Sequence, residues 1–465
     1  MVSAIGVAWW YESPVCHRSF CDEDNAMKTR VALLFVILSL LATPTFAADF
    51  KKGVGSGWFL NVHNWTGTWG TATKPGKRLF EDTVADVRRL KKAKFDHMRL
   101  HFHIDGLLFW KECKGWKDAS TYDKTVQCYK KNWAKQKKAK WKTKKKFYLD
   151  NKVYLTLFID ALKRITGEGM DVIIVPSGFH KASGAAYSLA DGALYDDVAF
   201  RTLHVKFWSH LARRVRKEIP NWRQVAFQTH NEPFFCDDAK PQVSKWRSVE
   251  KRVIRAIRKQ IPTSTIFTTS VCTNGDFLFK DDSYEKSPTV RIDHVMAPYK
   301  QFKNLIYTIH FRMPRVFVFQ TLMSSDVKGL KYPMNSANLS SVLSKADDSK
   351  NYLEDYRDNG WNRTVLFDAI RQAADWKTKH GVKLHITEWG TTRSNVDGKG
   401  GGPDRRGRLL YTRDMVDAMK KYGITWTHAP WKAWDGLTSK FVYGKSDYNF
   451  KNRLLDPAMI KRLKR

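Results

Sequence analysis

No segment inside the body of this 465-residue chain is apolar enough, over enough residues, to cross a bilayer. Cysteine is sparse, six residues in all, and none stands at zinc-site spacing. There is no internal repeat, no Pro/Ser-rich linker announcing an appended module, and no nucleic-acid-binding motif. Acidic residues are outnumbered: 46 Asp and Glu face 81 Lys and Arg, a formal net charge of +35. Such an imbalance bears on partners and solubility rather than on fold. It favours an acidic polysaccharide, an anionic cell surface or nucleic acid. With 43% hydrophobic and 13% aromatic residues, the chain can still bury one large core, which excludes general disorder.

The one strongly apolar run, 31–46, has the grammar of an export signal. Met27-Lys28-Thr29-Arg30 forms a short basic region, 31–41 the apolar centre, and Thr45-Phe46-Ala47 the small residues of a cleavage site. The run is short for a membrane anchor. Residues 1–26 are expected to be an over-extended reading frame, 27–47 a signal peptide, and 48–465 a single catalytic domain, secreted or periplasmic and without stable membrane insertion. Residues 1–47 hold three basic and four acidic residues, so the mature charge is +36. They also hold Cys16 and Cys21, leaving Cys113, Cys128, Cys236 and Cys272. An even count in an exported chain is compatible with two disulfides. Cys113 with Cys128 is the natural local pair and Cys236 with Cys272 the remaining one, although three connectivities are formally open.

Downstream, short apolar runs alternate with amphipathic helical patterns, as βα units do. Strands are predicted over 58–62, 95–100, 171–175, 224–229, 265–269, 305–309, 383–387 and 424–427. Helical spacing marks 81–92, 147–166, 196–218, 243–260, 364–379 and 408–422. Eight strands with interleaved helices predict an α/β fold, a closed (β/α)8 TIM barrel with long loops at its C-terminal face. In such a barrel chemistry collects where strands end. Arg99, His230, Asn231, Glu232, His310 and Glu388 all close apolar runs. Two long excursions, 109–152 and 316–361, are expected on that same face. The first carries Trp110, Trp116, Trp133 and Trp141 among lysines, and 135–146 is almost polybasic. It reads either as a solvated charge run or as a grip on an anionic polymer. Export and the missing motif set nucleic acid aside.

Two segments, Thr229-His230-Asn231-Glu232-Pro233 and Thr387-Glu388-Trp389-Gly390, each deliver one glutamate at a strand end. Glycoside cleavage requires such a pair: one carboxylic acid protonates the leaving oxygen, and one carboxylate attacks the anomeric carbon or activates water. An arginine beside the nucleophile would keep it ionised.

Asn231-Glu232-Pro233 and Thr387-Glu388-Trp389-Gly390 resemble the acid/base and nucleophile motifs of glycoside hydrolase family 5, the cellulase family of clan A. His97-Met98-Arg99-Leu100 and Ile306-Tyr307-Thr308-Ile309-His310 are similar to its second and sixth strands, and the resemblance covers roughly 57–435. It implies a retaining hydrolase with Glu232 as acid/base and Glu388 as nucleophile. It further implies Arg99 beneath Glu388, Asn231 on the sugar 2-hydroxyl, His310 orienting substrate, and Trp431 or Trp434 as a stacking platform. No metal or organic cofactor is needed. One departure stands out: two residues after His310, where the family often places tyrosine, the chain has Arg312. If Arg312 faces the nucleophile, it supplies a hydrogen bond with added charge. The expected protein is therefore a monomeric, endo-acting, cellulase-like enzyme on a β-linked polysaccharide, possible acidic glycans included. The alternatives are a barrel that only binds carbohydrate and a basic protein that adheres to anionic polymers.

Overall fold

Runs rich in Val, Ile, Phe and Thr become eight parallel strands: β1 Lys52–Leu60, β2 His97–His103, β3 Asp171–Ser177, β4 Val225–Gln228, β5 Ile266–Thr269, β6 Leu305–Phe311, β7 Lys383–Trp389 and β8 Thr425–His428. They close into a barrel in the order β1-β8-β7-β6-β5-β4-β3-β2. The computed structural model describes residues 50–60, 75–104, 119–139, 152–177, 194–233, 235–237, 240–271, 292–322, 324–347, 349–392, 402–428 and 456–465. Every residue of β4, β5 and β6 is buried, as expected for strands covered on both faces. The barrel belongs to the unit Ala48–Arg465.

All eight predicted strands are present, with the largest shift in the first. It begins at Lys52 rather than 58, because Gly53, Gly55 and Gly57 hide it from any β-propensity reading. Gly53 has a packing reason: a Cβ there would lie 2.2 Å from the His97 ring. His97 in turn belongs to a polar chain inside the barrel. Its Nδ1 meets Asp96, and its Nε2 shares the Thr427 hydroxyl, at 2.8 Å, with His385 Nε2. Below the site the lumen is plugged by Phe50, Ile173, Ala226, Phe267 and Ile306.

The covering helices are α1 Pro75–Lys92, α2 Ala119–Lys138, α3 Lys152–Gly167, α4 Val198–Glu218, α5 Val243–Gln260, α6 Ile292–Val295, α7 Arg315–Phe319, α8 Ser336–Leu343, α9 Lys350–Asp358, α10 Arg363–His380, α11 Arg405–Lys421 and α12 Pro457–Leu463. Asp197, Asn362, Asp404 and Asp456 cap their helices through side-chain oxygens, and left-handed Gly381 ends α10. Two expectations change here. The excursion 109–152 contains a helix, α2, which is pinned to the barrel by Trp133; that ring is 6% exposed and meets Phe200 at 5.0 Å. The excursion 316–361 holds α8, α9 and most of α7, and buries Val318, Leu330, Leu339, Leu353 and Trp361. Among the described residues no helix is long and apolar enough to cross a membrane. The signal peptide, Trp431, Trp434, Cys113 and Cys272 lie outside the described residues, so both cysteine pairings do too.

Candidate active site

Strand alternation directs Arg99 and His101, two residues apart on β2, to the same face. Across the lumen, a register irregularity between β6 and β7 sets the other half of the site. Ile309 pairs with Ile386 but His310 pairs with Glu388, so β7 carries one extra residue, Thr387. Bulges of this kind re-aim side chains near active sites. Here it brings His310 and Glu388 level. Immediately after β7 the chain turns at Gly390, φ 128°, where a Cβ would lie 2.8 Å from His428 Nε2. Trp389 is fully buried against Trp426 and His428 and serves packing.

Glu232 comes from the turn after β4. Asn231 N donates to Pro176 O at 2.8 Å, and Glu232 itself adopts φ 46°, a left-handed conformation that non-glycine residues rarely take. Strain of this sort persists only where the surroundings enforce it, and it clusters at functional sites.

Arg99, 1% exposed, ties the two halves together. It donates to Gln228 Oε1 at 2.7 Å, Asn231 Oδ1 at 2.6 Å and Glu388 Oε1 at 2.6 Å. Its Nη1 also lies 2.7 Å from His101 Nε2. A guanidinium only donates, so His101 Nε2 is the acceptor of this contact. Arg312 takes the other oxygen of Glu388, Nη2 to Oε2 at 3.1 Å. His310 Nδ1 lies 2.8 Å from Glu232 Oε1 and 3.8 Å from Glu388 Oε2. Burial opposes the charge on Glu388, but His310, Arg99 and Arg312 outweigh it and hold the carboxyl well below its ordinary value. Burial likewise draws Arg99 down, against the pull of Glu388.

One oxygen each from Glu232 and Glu388 and a ring nitrogen of His310 lie within 4.8 Å of one another, a geometry that could also receive a metal ion. Two guanidiniums already occupy Glu388, one on each oxygen, and oppose a further cation there. The arrangement suits proton transfer beside a fixed anion.

Of the residues singled out from sequence, Arg99, Asn231, Glu232, His310 and Glu388 converge, and Arg312 does face Glu388. His230 is buried against Trp246, their rings 6.0 Å apart. Three residues escaped that reading. His101 had a signal, standing two residues from Arg99 on one strand. Gln228 had one as well, the single polar residue of an apolar strand. Glu250 had none, since it falls within a cationic helix.

Glu250, 2% exposed on α5, lies behind the turn that carries Glu232. Its Oε1 accepts from Thr229 Oγ1 at 2.5 Å and Thr269 N at 3.0 Å, and its Oε2 from Tyr299 OH at 2.6 Å. It thereby joins the ends of β4 and β5. Burial raises its carboxyl from 4.5 to about 7, although all three hydrogen bonds favour the anion. The folded state therefore binds a proton more tightly than the unfolded chain, and this group's contribution to stability falls as pH rises from 4.5 to about 7. Glu250→Gln, whose amide can satisfy all three partners, is expected to flatten that slope. Urea midpoints of wild type and variant at both ends of the interval check it; parallel slopes would refute it.

The family model Cellulase (glycosyl hydrolase family 5) matches residues 60–436. Among solved structures, a hyperthermophilic endo-beta-1,4-glucanase in complex with substrate is similar, with TM-score 0.54 and 13% identity over 90% of this chain and 98% of that one. Cel5A of Thermotoga maritima in complex with mannotriose gives TM-score 0.53 and 14% identity over 90% and 98%. An entity described simply as an endoglucanase gives 0.53 and 13% over 90% and 97%. At such identity these likenesses speak for the fold alone. No curated protein matches in sequence. With the family model spanning most of the barrel, the chain belongs to glycosyl hydrolase family 5 and is a glycoside hydrolase.

Proposed function

We propose that this hydrolase cleaves a β-linked polysaccharide internally, with retention of configuration, through Glu388 as nucleophile and Glu232 as general acid/base. The observation that carries the reading is the unequal setting of two glutamates whose oxygens approach within 4.8 Å. Glu388 is clamped at both oxygens by arginine and held as the anion. Glu232 meets a histidine instead, on a turn the protein holds under strain. Retaining enzymes place their carboxyls about 5–5.5 Å apart, whereas inverting ones leave about 6.5–9.5 Å for a water. The close approach supports retention.

In the first step Glu388 attacks the anomeric carbon while Glu232 passes its proton to the departing glycosidic oxygen. A glycosyl ester on Glu388 results. In the second step Glu232, now the carboxylate, takes a proton from water as that water attacks the same carbon, and Glu388 leaves as the anion. Asn231, fixed by Arg99, is placed for the sugar 2-hydroxyl. Both steps are complete without a metal or an organic cofactor.

For the substrate, β-1,4-glucan is favoured first, then β-mannan and mixed-linkage glucan. The endo-β-1,4-glucanase and the mannotriose-bound relative support that order. An acidic glycan with β-glucosyl links suits the charge. The chain is further proposed to act as an exported monomer with 48–465 as its catalytic domain, and Trp431 as its stacking platform. The test is reducing-end release across neutral and acidic β-glycans, with the anomer formed first read by proton NMR. We expect the β-anomer to appear before mutarotation. The α-anomer would overturn retention, and binding without turnover on every glycan would overturn hydrolysis of this class.

A further inference from the structure

Within the lysine-rich insertion the structure gives helix α2 a definite place. Trp133 of α2 is buried on Phe200 of α4, while Lys131, Lys135, Lys137 and Lys138 of the same helix stay exposed. Helix α4 is joined in turn to α5, through Gln260 Nε2 to Ser209 Oγ at 3.0 Å and Arg252 Nη2 to Thr202 Oγ1 at 3.1 Å. The three helices form one stretch of the barrel's outer wall.

Their charge is lopsided. Together they carry nineteen Lys and Arg and three acidic residues, Asp123, Glu218 and Glu250. Glu250 is buried and Glu218 is spent on Arg214 at 2.6 Å. Another part of the wall, α10 and α11, carries ten cations and four aspartates, all four in ion pairs with arginine. A high chain-wide charge would spread over both. Instead, the excess is concentrated on α2, α4 and α5.

It is also ordered. On α5, Arg247 turns inward to Pro298 O at 2.9 Å, while Lys251, Arg255 and Lys259 recur every fourth residue, opposite the buried Trp246, Val253, Ile254 and Ile257. At 1.5 Å rise per residue this is a cation about every 6 Å along the helix. Lys206, Arg213 and Lys217 continue the theme on the exposed side of α4. Along the axis of duplex DNA each strand presents a phosphate about every 3.4 Å, nearly twice as dense as this row. A spacing of one cation per 6 Å is close to the length of one sugar unit and fits a chain with one charge per sugar.

We infer that α2, α4 and α5 form a non-catalytic surface that holds a linear acidic polysaccharide, of the polyuronate type, against the outside of the barrel. The surface is separate from the cleft, since α5 covers the outer side of the wall whose inner end carries Glu232. It would keep the enzyme on an anionic matrix while the cleft works on its own substrate.

The test uses the full chain and polygalacturonate as probe, with duplex DNA in parallel. The variant Arg213→Gln with Lys217→Gln, Arg255→Gln and Lys259→Gln is compared with a control, Lys379→Gln with Lys383→Gln, Lys420→Gln and Lys421→Gln. At low salt the first variant is expected to lose at least about tenfold in affinity for polygalacturonate and the control less than about threefold, with wild-type binding collapsing at about 500 mM salt. Hydrolysis of a short neutral oligosaccharide should be the same in all three, which also shows that each is folded. Equal losses in both variants would overturn the location. Tighter binding of DNA than of polygalacturonate would overturn the partner, and salt-independent binding would overturn the mechanism.

Discussion

Glu388→Gln is expected to lower glycan hydrolysis by roughly 10⁴-fold or more, because it removes the group that would form the covalent intermediate. The amide is nearly isosteric but not electrostatically neutral in effect. Its one oxygen can satisfy either Arg99 or Arg312, and its NH2 then faces the other guanidinium. Breaking a buried pair in this way costs about 3–5 kcal/mol, so a urea titration must accompany the kinetics. Glu232→Gln should behave differently. General acid catalysis contributes about 10²–10⁴-fold, and its loss depends on how much help the leaving group needs. The kcat/KM for a dinitrophenyl glycoside should survive in Glu232→Gln and not in Glu388→Gln. Azide should rescue turnover of the Glu232 variant and yield a β-glycosyl azide. Equal losses in both variants for good and poor leaving groups would refute the division of labour.

Much of this is legible in the amino-acid sequence. The order of strands and helices is, because β/α alternation writes itself into apolar periodicity. So is the convergence of Arg99, Asn231, Glu232, His310 and Glu388: each closes an apolar run, and a barrel gathers strand ends on one face. What escaped has physical reasons. The start of β1 was masked by glycines, and one of them, Gly53, is required by close contact with His97, a relation between residues far apart in sequence. The bulge at Thr387 leaves no trace in composition, since it is a property of two strands in register. Helix α2 could not be told from a solvated charge run, because the packing of Trp133 on Phe200 joins residues far apart in sequence. Glu250 looked like any acid on a cationic helix. Only burial and three donors mark it.

Arg99→Met is the second large expected effect, and it separates charge from architecture. The residue touches Gln228, Asn231, His101 and Glu388, so its removal strands four polar partners around a buried site. The loss should be about 3–5 kcal/mol of stability, read from urea unfolding. Activity should fall at the same time, because Asn231 loses the bond that orients it and Glu388 loses its shorter cation contact. The pH dependence gives a sharper signature. In the wild type the folded-state pKa of Glu388 is depressed, so its ionic stabilisation is present above the unfolded value near 4.5 and is lost as pH falls through the lower folded value. Without Arg99, burial weighs more heavily against the anion, and Arg312 and His310 alone must hold it. The acid limb of kcat/KM should therefore move to higher pH in Arg99→Met, by at least about one unit, a change that corresponds to about 1.4 kcal/mol of lost interaction with the anion. Arg312→Met should move the same limb less, since its contact is 3.1 Å against 2.6 Å and its side chain is more exposed. An acid limb that stays in place in both variants would mean that neither arginine governs ionisation of the nucleophile, and that Arg99 serves the fold alone.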